Sequence, residues 1–72
     1  MILENVLVRN HRGRFEVCEH ELKSGSSLDI QINGEWLEGF VEHWGDGYFW
    51  FSKLESIPVI LRNGIKARLK LR

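Results

Sequence analysis

Residues 28–52 carry two tight turns between three short runs of alternating or aromatic-rich sequence, a pattern that antiparallel strands satisfy and helices do not. Leu28, Ile30 and Ile32 alternate with Asp29 and Gln31, the two-residue period of a strand with one buried face. Asn33-Gly34 follows, the dipeptide best suited to the positive φ angles of a type I′ hairpin turn. A second strand is predicted from Glu35 to about Trp44. Gly45-Asp46-Gly47 reads as a short turn, and Tyr48 to Ser52 as a third strand, rich in the aromatics that strands favour.

The turns also predict register. A two-residue loop at Asn33-Gly34 pairs Ile32 with Glu35 and Ile30 with Leu37. A three-residue loop at Gly45-Asp46-Gly47 pairs Trp44 with Tyr48 and Glu42 with Trp50. On that register Leu28, Ile30, Ile32, Leu37, Val41, Phe49 and Phe51 form the core face. Trp36, Glu38, Phe40, Glu42, Trp44, Tyr48 and Trp50 form the opposite one. Gly39, in mid-strand, marks a bulge or bend that shifts residues between faces. Phe49→Ala is expected to cost about 3–5 kcal/mol if the ring lies in the core.

The rest of the chain continues the pattern. Ile65, Ala67, Leu69 and Leu71 alternate with Lys66, Arg68, Lys70 and Arg72 after a turn at Asn63-Gly64. Ile57 to Leu61 is another strand, with Pro58 placing it at a sheet edge or a strand start. Arg14 to Cys18 and Ile2 to Val8 are the N-terminal candidates, and Ser24 to Ser27 is a loop. Short strands, frequent turns and no helical period predict an all-β domain. The expected architecture is one SH3-like barrel of five or six antiparallel strands over residues 1–72, closed so that few edges stay open.

A chain of 72 residues has room for one core. Its 43% hydrophobic and 11% aromatic content argue against disorder. Cys18 is the sole cysteine, so no internal disulfide forms, and a reducing compartment is expected. The N-terminal residues lack a basic segment followed by an apolar one, and the apolar runs at 48–51 and 57–61 are far too short to span a membrane. The expected location is the cytoplasm. Ten basic and ten acidic residues give a formal net charge of zero, which argues against a protein that coats nucleic acid over its whole surface. The charges are nevertheless segregated: eight acids and only Lys23 between residues 15 and 46, five bases and no acid from Arg62 to Arg72. Arg9, Arg12 and Arg14 make a second basic group.

The progression Gly13-Arg14-Phe15-Glu16-Val17, Glu21-Leu22, Gly25, Asn33-Gly34-Glu35-Trp36-Leu37, Val41-Glu42, Gly47-Tyr48-Phe49-Trp50 and Gly64-Ile65-Lys66-Ala67-Arg68-Leu69 resembles a family of small domains of unknown function. That family is frequent on plasmids and other mobile elements of Gram-positive bacteria. The resemblance covers most of residues 13–69 and implies a bacterial cytosolic setting, with no chemistry attached. Relatives often carry a cysteine before the loop glycine, where this chain has Ser24. More loosely, a Gly-x-Trp strand, a turn and an aromatic strand resemble SH3-like and Tudor-like barrels, which are binding modules; fold alone does not assign function.

Two candidate surfaces follow. The first is the aromatic face, Trp36, Phe40, Trp44, Tyr48 and Trp50, which marks a site for a protein partner, for self-association or for a ligand such as nucleic acid unless another part of the chain covers it. Within it, Trp44, Tyr48 and Trp50 beside Glu42 or Asp46 are candidates for an aromatic cage around a cation. The second is the basic stripe Arg62, Lys66, Arg68, Lys70 and Arg72, joined by Arg9, Arg12 and Arg14, which suits phosphates; its ordinary alternative is the solvated face of an edge strand.

Chemistry is poorly supplied. His11, His20 and His43 are dispersed and lie in no nucleophile motif. Cys18-x-His20 lacks a second ligand pair at zinc spacing, so no metal is expected. Glu38 and Glu42 share a strand face, where surface solvation accounts for them. No glycine-rich phosphate loop precedes a helix. The reading is a non-enzymatic interaction module without cofactor, whose partner is a protein or a second copy. Nucleic-acid binding through the basic stripe is the alternative, and no membrane partner is expected.

Overall fold

The computed structural model describes residues 1–54 and 58–71. It contains β1 (Ile2–Val6), β2 (Val8–Arg9), β3 (Phe15–Val17), β4 (His20–Glu21), β5 (Ser27–Ile32), β6 (Glu35–Trp44), β7 (Gly47–Ser52), β8 (Pro58–Ile60) and β9 (Lys66–Lys70). No helix occurs among the described residues. Six strands form an antiparallel sheet in the order β1-β9-β5-β6-β7-β8, and β2-β3-β4 form a second. The fold is all-β, small and barrel-like, as the turn-rich pattern predicts. More strands appear than expected because the N-terminal run splits and two-residue pieces add to the count. Pro58 opens β8 at the sheet edge, where its missing N–H costs nothing. The expected start of that strand, Ile57, lies outside the described residues.

The split in the N-terminal run falls at Leu7. This residue is fully buried; its N–H donates to the Ile65 carbonyl at 2.8 Å and its carbonyl accepts the Gly64 N–H at 2.9 Å. Pinned to the β8–β9 turn, the chain leaves the large sheet as β1 and enters the small one as β2. The small sheet thereby folds over the inner face of the large one. Leu7, Phe15, Val17 and Leu22 from the N-terminal third pack with Leu28, Ile30, Val41, Tyr48, Trp50, Leu61 and Ala67 in one core.

The first hairpin has the expected register: Ile32 faces Glu35, Ile30 faces Leu37, and Asn33 and Gly34 take φ +51° and +82°. The second does not. Its loop is Gly45-Asp46 alone, with Gly47 already paired to Trp44, His43 to Tyr48 and Val41 to Trp50. Gly45 takes φ +57°, which a type II′ turn requires at its first central position. A one-residue slip turns every side chain of a strand to the other face. Phe49 and Phe51 therefore point outward, and Tyr48 and Trp50 point into the core, where they are 6% and 1% exposed.

Gly39 has a different role from the bulge expected of it. Pairing is unbroken on both sides, to Leu28 and to Ser52. A Cβ there would collide with the Phe51 carbonyl oxygen and the Trp50 indole. The missing side chain makes room for the Trp50 ring, whose Nε1–H donates to the Leu28 carbonyl at 2.7 Å. The largest core residue is thus seated between glycine and a backbone acceptor.

Candidate functional site

The outward face of the large sheet divides into an apolar half on β6, β7 and β8 and a charged half on β1, β9 and β5. In the apolar half Phe40 stands opposite Phe51, Glu42 opposite Phe49, and Phe49 opposite Ile60. Phe40 and Phe51 are stacked with ring centres 5.8 Å apart. The Trp44 indole leans on Phe49 at 5.5 Å and meets Phe51 edge-on at 5.6 Å. Gly47 supports this arrangement, because a Cβ there would press on the Phe49 ring at 3.1 Å. Trp44 remains 61% exposed above the half-buried phenylalanines, with Ile60 at 56% and Phe40 at 37%. Four rings and an isoleucine thus form one patch open to solvent.

Of the five aromatic residues predicted for this face, Trp36, Phe40 and Trp44 lie on it. Tyr48 and Trp50 do not, for the reason of register given above. Phe49 and Phe51, assigned by sequence to the core, take their place. A cage of Trp44, Tyr48 and Trp50 is therefore excluded, since its rings are on opposite sides of the sheet. Trp36 stands apart from the patch: the Arg68 guanidinium lies over its ring, 4.4 Å from the centre.

The charged half is not a free basic stripe. Arg68 donates from Nε and Nη2 to Asp29 Oδ2 at 3.2 and 3.0 Å, and the Lys70 ammonium is 3.6 Å from the same oxygen. Asp29, read in sequence as a solvent-facing strand position, is only 6% exposed beneath these cations. Charge-assisted bonds of this kind hold Arg68 inside the fold. Lys66 stands opposite Val6 on the same face. Arg62 is exposed in the turn after β8, and Arg72 lies outside the described residues. A groove of about 330 Å³ between Phe40, Lys53, Glu38, Asp29 and Lys70 joins the two halves. Its charges are of both signs.

The second basic group spans the end of β2 and the β2–β3 loop, which Asn10 organises. The Asn10 Oδ1 accepts the Arg12 and Arg14 backbone N–H groups, and its Nδ2 donates to Glu16 and Glu21. Arg14 and Arg12 both face Glu21, at 3.0 and 3.5 Å. The Arg14 hydrogen bond holds the Glu21 carboxyl below its ordinary range; Asn10 and the Arg12 charge act the same way, and desolvation opposes them. Neither Asn10 nor its role was read from the sequence, although an asparagine opening a loop that ends in glycine is the signal of such a side-chain-capped turn.

The remaining candidates are dispersed. His11 and His20 are exposed, the latter with Nδ1 3.2 Å from the Cys18 carbonyl oxygen, while His43 stacks on Tyr48 at 4.3 Å. Glu42 accepts a hydrogen bond from the Ser24 hydroxyl at 2.9 Å, and Glu38 stands opposite Asp29. Among the described residues no three His, Cys, Asp or Glu side chains gather as a metal site, and no helix is long and apolar enough to cross a membrane.

Residues 5–69 match the model of the family described as Domain of unknown function (DUF5348), so the chain belongs to that family. No curated protein and no solved structure matches it.

Proposed function

Taking that family membership as the premise, we propose that the chain is a non-enzymatic interaction module of SH3-like barrel type that binds a protein, or a second copy of itself, through its outward aromatic patch. The setting that fits the sequence resemblance is the cytosol of a Gram-positive bacterium, in a protein carried by a mobile element. The observation that carries the reading is Trp44, 61% exposed on the Phe49 and Phe51 rings, with Phe40 stacked on Phe51 beside them. Aromatic side chains bury about 150–250 Å² each when covered, and burial contributes roughly 25 cal/mol per Å². A tryptophan held in place by the Phe49 and Phe51 rings gives up little conformational freedom on binding, which is how aromatic anchors act in interfaces. Phosphate binding by the stripe of β9 is the weaker reading, because Arg68 is committed to Asp29 and Trp36.

The test compares wild type, Trp44→Ser and a Lys66→Glu/Lys70→Glu double variant by light scattering across concentration and by affinity capture from bacterial cytosol. The expected result is an associated species or captured protein that Trp44→Ser loses and the double variant retains. Loss in the charge variant with retention in Trp44→Ser would overturn the assignment.

A further inference from the structure

On the other side of the molecule, where the β2–β3 loop meets the β6–β7 turn, lies a cleft of about 410 Å³ lined by Arg9, Arg12, Arg14, His43, Asp46 and Tyr48. We propose that this cleft binds one nucleotide unit, its phosphate among the three arginines and its base on the open face of His43.

The arginines are held ready. Besides the side-chain bonds already described, the Asn10 N–H donates to the Arg14 carbonyl at 2.8 Å and the Asn10 carbonyl accepts the Gly13 N–H at 3.0 Å. The loop is closed on itself by one residue. Arg9 then bridges loop and turn: Nε donates to the Gly13 carbonyl at 3.0 Å, Nη2 donates to the Asp46 carbonyl at 3.1 Å, and the guanidinium lies 5.4 Å from the centre of the Phe15 ring. Among the described residues no carboxylate pairs with Arg9. Arg12 and Arg14 share the single carboxylate of Glu21 while their side chains stay 56% and 44% exposed. A guanidinium carries about five N–H donors in a fork matched to phosphate oxygens, and these bonds leave most of them unused. Glu21 pairs with Arg12 and Arg14 from beside the cleft, Asp46 lines it, and Glu16 and Glu21, both bonded to Asn10, do not.

The aromatic floor supplies the second half of the chemistry. His43 lies flat on Tyr48, ring centres 4.3 Å apart and planes 10° from parallel. Tyr48 is buried and meets Phe15 edge-on at 5.9 Å, so the platform is anchored in the core. His43 itself is exposed and lines the cleft, and the proposed base stacks on the imidazole face turned away from Tyr48. Gly13 and Gly45 flank the cleft with nothing near their missing side chains, so a ligand approaches the backbone there without obstruction. Cationic forks beside a stacking platform are the combination that recognises nucleotides through shape and charge. The volume suits one nucleotide, supplied free or as one unit of a single strand.

The experiment is amide-shift mapping of the ¹⁵N-labelled protein in about 50 mM salt, titrated separately with adenosine 5′-monophosphate, a twelve-residue oligodeoxyadenylate and inorganic phosphate. Saturable shifts at Gly13, Arg14, His43 and Gly45 are expected, with inorganic phosphate about tenfold weaker because it lacks the stacked base. A response to the mononucleotide assigns a free nucleotide; a response to the strand alone assigns single-stranded nucleic acid. Arg12→Gln and His43→Ala, each first confirmed folded by its spectrum, should weaken binding about tenfold. The proposal is overturned if both adenylate probes leave these amides unmoved, if the shifts gather on β9, or if folded His43→Ala binds as wild type does.

Discussion

Replacing Trp50 with phenylalanine removes one ring and one hydrogen bond from the centre of the barrel and nothing from its surface. Trp50 is 1% exposed, sits over Gly39 and donates to the Leu28 carbonyl at 2.7 Å. Losing a buried hydrogen bond costs about 0.5–1.5 kcal/mol. The smaller ring leaves tens of Å³ unfilled, and at roughly 24 cal/mol per Å³ that adds about 1 kcal/mol. The expected loss is about 2 kcal/mol. For 72 residues at roughly 0.05–0.15 kcal/mol each, total stability is about 4–11 kcal/mol, so the variant still folds and can be measured. In a domain of this size such a loss lowers Tm by about 8–16 °C, read by far-UV circular dichroism, with the urea m-value unchanged. Phe49→Leu is the companion variant. Because Phe49 faces outward beneath Trp44, it should cost about 1 kcal/mol or less. If Phe49→Leu lowers Tm more than Trp50→Phe, the register of the second hairpin is wrong.

Two further outcomes test neighbouring parts of the structure. Gly39→Ala should destabilise by about 1–3 kcal/mol in urea melts, since its methyl group meets the Phe51 carbonyl and the Trp50 ring; a neutral or stabilising effect, the usual result of replacing glycine in a strand, would show that the ring is seated elsewhere. Glu21 tests the arginine loop through pH. Its folded-state pKa lies below the unfolded value, so its contribution is fully present above the ordinary 4.5 and is lost as pH falls through the folded value. The stability gap between wild type and Glu21→Gln should therefore be constant from about pH 6 to 7 and narrow on acidification below about pH 4.5. A gap independent of pH would mean that Arg14 and Arg12 do not stabilise the ionised carboxylate.

The two hairpins show why one face was legible and the other was not. Asn33-Gly34 leaves a single favourable loop length, so the alternation of Leu28, Ile30 and Ile32 carries directly across to Leu37. Gly45-Asp46-Gly47 admits either a two- or a three-residue loop, and both alternatives keep aromatics on both faces of β7. Tyr48, Phe49, Trp50 and Phe51 are all aromatic, so this run offers no alternation of polar and apolar residues to reveal which side meets water. Trp44, paired in either register with a neighbour on the same face, kept its outward position. The Asp29–Arg68 pair was hidden for another reason: the two residues are 39 apart in sequence, and only the adjacency of β5 and β9 brings them together.

Local rules acting over a few residues determined the fold class, the position of most turns, the strand β9 with its buried Ala67 and the first hairpin's register, because side-chain period and positive-φ turns are properties of short segments. Tertiary structure alone decided that Trp50 enters the core beside Gly39, that Phe49 and Phe51 come out beneath Trp44, and that Arg9 joins the β2–β3 loop to the β6–β7 turn near His43. Those outcomes depend on which strand lies next to which and on how one large ring finds space. No segment carries that information until the small sheet folds over the large one.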